Sequence, residues 1–209
     1  GFKTASTTNK VDTAGSLLLM NTKSSNTSGI SRTCSGDLIG GVVSDTAWVL
    51  QIDRFKFNTK VNYSQNALGM SDKNYTTDGY TANDSGFQTQ DLLYFYVYHG
   101  NTDTTRLGWT TGGNVGNGDN TTATDTWSTG TDYYVQMIRT SATSATSQMG
   151  TNSDFTSPTI NLTNSLISSA VGGLRYFKTA NLVYTGFSEG DMTAQLDTMR
   201  FADGVTVAP

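Results

Sequence analysis

Apolar and polar positions alternate along this chain, and no segment longer than about ten residues keeps the 3.6-residue apolar rhythm of an amphipathic helix. The clearest run is DTAWVLQIDRFKF (residues 45–57), in which Trp48, Leu50 and Ile52 share one face. The apolar parity then moves to Phe55 and Phe57. A strand changes face only by taking in an extra residue, so a β-bulge or bend is predicted near Asp53 and Arg54. In DLLYFYVY (residues 91–98), Leu93, Phe95 and Val97 form one row and Tyr94, Tyr96 and Tyr98 the opposite one, the pattern of a central strand covered on both faces. Further strands are predicted over residues 106–110, 131–140, 173–179 and 192–201. The last repeats the change of parity, with Met192, Ala194 and Leu196 giving way to Met199 and Phe201.

Between these runs, GGNVGNGDN (residues 112–120) reads as a wide hairpin loop. Residues 141–147 read as an exposed strand or a flexible connection. Residues 162–170 are the one helix candidate, with Leu166 and Ile167 turned inward. One-face burial predicts a core of Trp48, Leu50, Ile52, Phe95, Val97, Val135, Met137, Leu174 and Leu196.

The organisation expected is all-β. With 209 residues and two prolines, nothing marks a linker, so residues 1–209 read as one domain whose first 15 residues form an extended N-terminal arm. The longest apolar run, residues 16–20, is far too short to cross a bilayer. The chain begins with Gly1 rather than Met and shows no signal peptide, which suggests a processed product or an excised domain. Cys34 is alone, so no intrachain disulfide forms; it reads as a small buried apolar residue, with an intermolecular bond as the alternative.

Composition narrows the chemistry. Thr and Ser fill more than a quarter of the chain, whereas Glu189, His99 and Cys34 are the single residues of their kinds. Acid–base work near neutral pH draws mainly on those three types, so the expectation is a non-enzyme. Charged residues make up 14% and the net charge is −4, without any Lys/Arg cluster to hold nucleic acid. A low-charge surface loses little when it is buried against copies of itself.

SDTAWVLQIDRFKF (residues 44–57) brings a family into view. With NALGMSD (66–72), LLYFYVYHG (92–100), STGTDYYVQMIRTSATS (128–144), GGLRYFKTAN (172–181) and LDTMRFADGVTVAP (196–209), the chain resembles the concanavalin A-like lectin/glucanase, or laminin-G-like, domains of microbial and viral surface proteins. The resemblance implies a single jelly-roll β-sandwich of two antiparallel sheets, six or seven strands each, with the N- and C-terminal strands adjacent. Enzymes of this fold carry two glutamates on one strand, a pattern missing here. A glycosidase needs two carboxyls about 5 to 10 Å apart. Asp45 and Asp53, on one predicted strand, stand roughly 26 Å apart at about 3.3 Å per residue.

The candidate sites are few. His99 lacks a second His or a usable Cys beside it and reads as a strand-end polar residue. Loop aspartates Asp84, Asp103, Asp119 and Asp125 offer the hard oxygens that calcium takes, and relatives of this fold often bind calcium at one rim; solvated turn residues are the alternative. Tyr94, Tyr96 and Tyr98, about 6.6 Å apart, either stack on successive sugar rings or are covered by core and loops. Six N-x-S/T sequons, at Asn26, Asn62, Asn74, Asn83, Asn120 and Asn161, are candidates for glycosylation and point outside the cell. Together these features predict an extracellular structural or adhesive subunit that assembles with copies of itself into a filament, sheath or surface layer. The alternatives are a carbohydrate-binding, lectin-like module and a virion decoration protein. No cofactor is expected other than calcium.

Overall fold

Each alternating run is a strand, because its apolar row has a partner row to bury against. A computed structural model of the chain describes residues 3–4, 11–14, 17–23, 30–37, 40–59, 64–73, 90–99, 102–113, 120–124, 127–183 and 191–207. The strands are β1 (Lys3–Thr4), β2 (Val11–Ala14), β3 (Leu17–Lys23), β4 (Ile30–Asp37), β5 (Trp48–Thr59), β6 (Ser64–Ser71) and β7 (Gln90–His99). They continue with β8 (Thr104–Gly113), β9 (Asn120–Thr124), β10 (Tyr133–Ser141), β11 (Ser144–Gly150), β12 (Ile160–Asn164), β13 (Tyr176–Val183) and β14 (Asp191–Asp203). The first sheet has the order β1-β4-β13-β6-β7-β8-β9 and the second β12-β11-β10-β5-β14-β3-β2. All their pairings are antiparallel. The last strand lies between β3 and β5, so a strand from the N-terminal part of the chain flanks it, while β1 sits at the edge of the first sheet. This is the jelly-roll sandwich expected.

The two inner faces share one core, to which all nine expected residues belong. Its aromatic centre includes Phe57, 4.3 Å from the Trp127 ring and edge-on to Phe55 at 4.9 Å. The predicted bulge is present. Phe55 pairs with Tyr133 and Ile52 with Val135, so Asp53 and Arg54 together face Tyr134. In β14 the change of parity falls at Thr198, whose φ of 43° is left-handed.

Two local expectations are corrected. Residues 162–170 are not a helix: β12 runs through Asn164, and in the irregular stretch that follows Ile167 is buried while Leu166 is 66% exposed. Its apolar residues alternate at Ile160 and Leu162, which an edge strand needs and a helix does not. Residues 141–147 hold a turn, with Thr143 exposed, and the start of β11. This is a strand, as one of the two expectations had it, but not an exposed one, since β11 pairs on both sides and buries Ala145 and Ser147.

Candidate functional site

Chemistry gathers on the outer face of the second sheet. Leu50 and Ile52 point into the core, so Gln51 and Asp53 point out; Val135 and Met137 likewise turn Gln136 and Tyr134 outward. Gln51 and Gln136 stand opposite each other, and Gln51 Nε2 donates to Gln136 Oε1 at 2.8 Å. Arg200 of β14 pairs across from Gln51, and its guanidinium reaches the Asp53 carboxylate. The bulge matters here because it holds Asp53 and Arg54 on the same outer face. Arg54 in turn binds Asp132 at 2.9 Å, with Lys56 at 3.7 Å, and the Arg54 hydrogen bond holds the Asp132 carboxyl below its usual range.

The turn after β11 closes this group into a cleft of about 460 Å³, lined by Gln51, Asp53, Tyr134, Gln136, Phe155 and Arg200 among others. Phe155 has φ 53°, a left-handed backbone that is unusual for a bulky side chain and aims its ring at the cleft. Asp154 steadies the turn by accepting hydrogen bonds from the Thr156 amide at 3.1 Å and hydroxyl at 3.0 Å. Side-chain amides both donate and accept, carboxylate and guanidinium add charged partners, and two aromatic rings supply apolar walls. That combination of convergent polar groups and rings is the chemistry that would recognise a polar organic ligand.

The tyrosine row lies elsewhere and is largely closed. Tyr94 is 0% and Tyr96 6% exposed, with Tyr98 half-buried, on the outer face of the first sheet. The Tyr94 and Tyr96 rings stack at 6.1 Å, the Arg106 guanidinium sits 5.3 Å from the Tyr96 centroid, and Ala67 and Leu92 complete a second apolar cluster. Tyr94 and Tyr96 are packed within this cluster, and Tyr98 is the partly open member of the row. Gly69 admits the close approach of β6 and β7 there, since a Cβ would fall 2.1 Å from the Leu93 carbonyl oxygen.

The remaining candidates disperse. Asp103 hydrogen-bonds Nδ1 of His99, beside Trp127, so His99 has a carboxylate partner the sequence reading overlooked. Among the described residues no three His, Cys, Asp or Glu side chains form a metal-binding group. Asp84, Asp119 and Asp125 lie outside the described residues, as do Asn26, Asn62, Asn74 and Asn83. Asn120 opens β9, and Asn161 is exposed on β12. Among the described residues no helix is long and apolar enough to cross a membrane. The cleft itself was missed, although its signal was present: Gln51 and Gln136 are polar positions inside the apolar stretches 48–52 and 133–138 of β5 and β10.

No protein-family model matches the sequence, and no curated protein matches it. The fold does have neighbours. A legume lectin-like domain from Entamoeba histolytica aligns over 97% of this chain and 89% of its own, with TM-score 0.65 and 8% identity. The lectin UEA-II, solved with galactose, aligns over 96% and 91% with TM-score 0.60 and 14% identity. The family 7 alginate lyase A1-II′ aligns over 96% and 85% with TM-score 0.57 and 12% identity. All share the concanavalin A-like jelly roll, and this chain has that fold.

Proposed function

We propose that this protein is a non-enzymatic carbohydrate-binding module that holds a glycan in the cleft of the second sheet, and that it works outside the cell. The observation that carries the reading is the buried Gln51–Gln136 amide pair beside the Asp53–Arg200 pair, between Tyr134 and Phe155. Sugar hydroxyls are donors and acceptors at once, which amides match, and the C–H face of a pyranose packs on aromatic walls. The lectin neighbours show that this fold accommodates such a role, while the lyase neighbour shows that it accommodates catalysis as well. Within the cleft, Asp53 is engaged by Arg200 and Asp154 by Thr156, which supports a binding role for these carboxyls.

Self-assembly, the other reading that composition favours, would use a donated terminal segment or an exposed edge strand such as β12. Its Thr163 carbonyl already accepts the Thr121 hydroxyl at 2.8 Å, which blunts that edge as a template for a neighbour. The cleft on the second sheet favours glycan binding. A glycan array probed with the protein should show retention on a defined set of polysaccharides, lost on Gln136→Ala and on Asp53→Ala. Binding to no glycan, or binding that both variants retain in full, overturns the reading. Release of reducing ends from a bound glycan would overturn the non-enzyme part alone.

A further inference from the structure

The cleft is one end of a longer feature. Arg200 pairs with Gln51, Gln51 with Gln136, Gln136 with Gln148, and Gln148 with Asn161, so these five side chains form one unbroken row across β14, β5, β10, β11 and β12. All five face outward, since the apolar residues on either side of each turn toward the inter-sheet core. Adjacent strands lie about 4.8 Å apart, which puts the ends of the row roughly 19 Å from each other. Its two ends are open and its middle is deep: Arg200 is exposed, Gln51 and Gln136 are buried, Gln148 is half-buried and Asn161 is exposed at the sheet edge. In the next row, through Val49, Ile138 and Thr146, the half-buried Ile138 and Thr146 offer methyl groups alongside the amides.

From this arrangement we infer that the ligand is an extended, neutral polysaccharide chain laid across the strands, with several consecutive sugar units each meeting one amide of the row. The inference rests on the glycan reading of the cleft. Strand spacing is comparable to the advance of one sugar unit in an extended chain, so a repeating polymer meets a repeating set of donors and acceptors. A track open at both Arg200 and Asn161 takes an internal stretch of such a chain, where a compact pocket would take a single terminal sugar. Charge selects against uronates: the one cation of the row, Arg200, is neutralised by Asp53, and Asp154 adds a carboxylate beside it.

The test is calorimetric titration with cello-, manno- and laminari-oligosaccharides of two to six units, and with oligoalginates of the same lengths, against the unmodified protein, Gln148→Ala and Asn161→Ala. These two positions lie outside the cleft, and Asn161 is exposed, so its variant folds as the parent does. Affinity for one neutral series should climb with length up to four or five units. Each distal variant should lower affinity for the longest member by about tenfold, as one lost hydrogen-bonded contact does, and leave the disaccharide unaffected. Binding that is already complete at the disaccharide, or that ignores both variants, overturns the extended track while the cleft reading stands. Oligoalginate binding as tight as the neutral series overturns the charge argument, and binding to no oligosaccharide of any length overturns track and cleft together.

Discussion

Gln51 donates its side-chain amide to Gln136 across two neighbouring strands, and both residues are buried, at 9% and 7% exposure. A buried amide is tolerated only with a partner, so each glutamine makes the other admissible on an otherwise apolar strand. Gln136→Ala should cost about 1 to 3 kcal/mol, because Gln51 then keeps a buried, unmatched amide. The double variant Gln51→Leu/Gln136→Leu should cost less than the sum of the single changes. Urea denaturation of the four proteins measures the coupling, and strict additivity would remove the argument.

Lys178 is fully buried on the outer face of the first sheet, opposite Gly69, and burial pushes its amine down to about 7, partly offset by the Asp72 charge. The unfolded chain keeps the ordinary lysine value, so between about pH 7 and 10.5 it binds more protons than the folded one. Stability from this group therefore rises with pH across that window, by up to about 1.4 kcal/mol per pH unit, and is lowest and flat below it. Lys178→Met should remove this slope and raise stability at pH 7. Unfolding midpoints of both proteins from pH 6 to 10 provide the check, and parallel profiles would contradict it.

Arg139 is buried at the end of the second sheet, where it donates to the carbonyls of Ser141, Ala142 and Val171 at 3.2, 2.7 and 2.7 Å. It ties the β10–β11 turn to the loop that leads into β13. Arg139→Leu strands those carbonyls and should cost about 3 kcal/mol, with proteolytic nicking appearing first near residues 141–143 or 168–171. Limited proteolysis with mass mapping reads this directly. Nicking first at the opposite end of the sandwich would refute the tie.

Thr198 holds a left-handed φ that a β-branched side chain adopts at a cost. Thr198→Asn suits that backbone and should raise stability by about 0.5 to 1 kcal/mol without altering glycan binding. A destabilised variant would show that the Thr198 hydroxyl, which reaches Asp197 at 3.2 Å, matters more than the strain.

Much of this protein was legible before any contact was known. Alternation located the long strands, turned Trp48, Leu50, Phe95 and Val135 inward and placed the bulge at Asp53 and Arg54, because side-chain direction along a strand is a local property of the backbone. Local pattern misled at residues 162–170, where a short edge strand followed by an irregular stretch imitates a weak helix, and it could not tell whether the tyrosine row was open or covered.

What only the tertiary structure decided is which strands are neighbours. Gln51, Gln136, Gln148, Asn161 and Arg200 are scattered over 150 positions of sequence, and nothing in any one strand announces the other four. They become one row because the order β12-β11-β10-β5-β14 and its registers come from burying two apolar faces against each other. The sequence by itself determined which side chains face outward; the packing of the core determined which of them stand side by side.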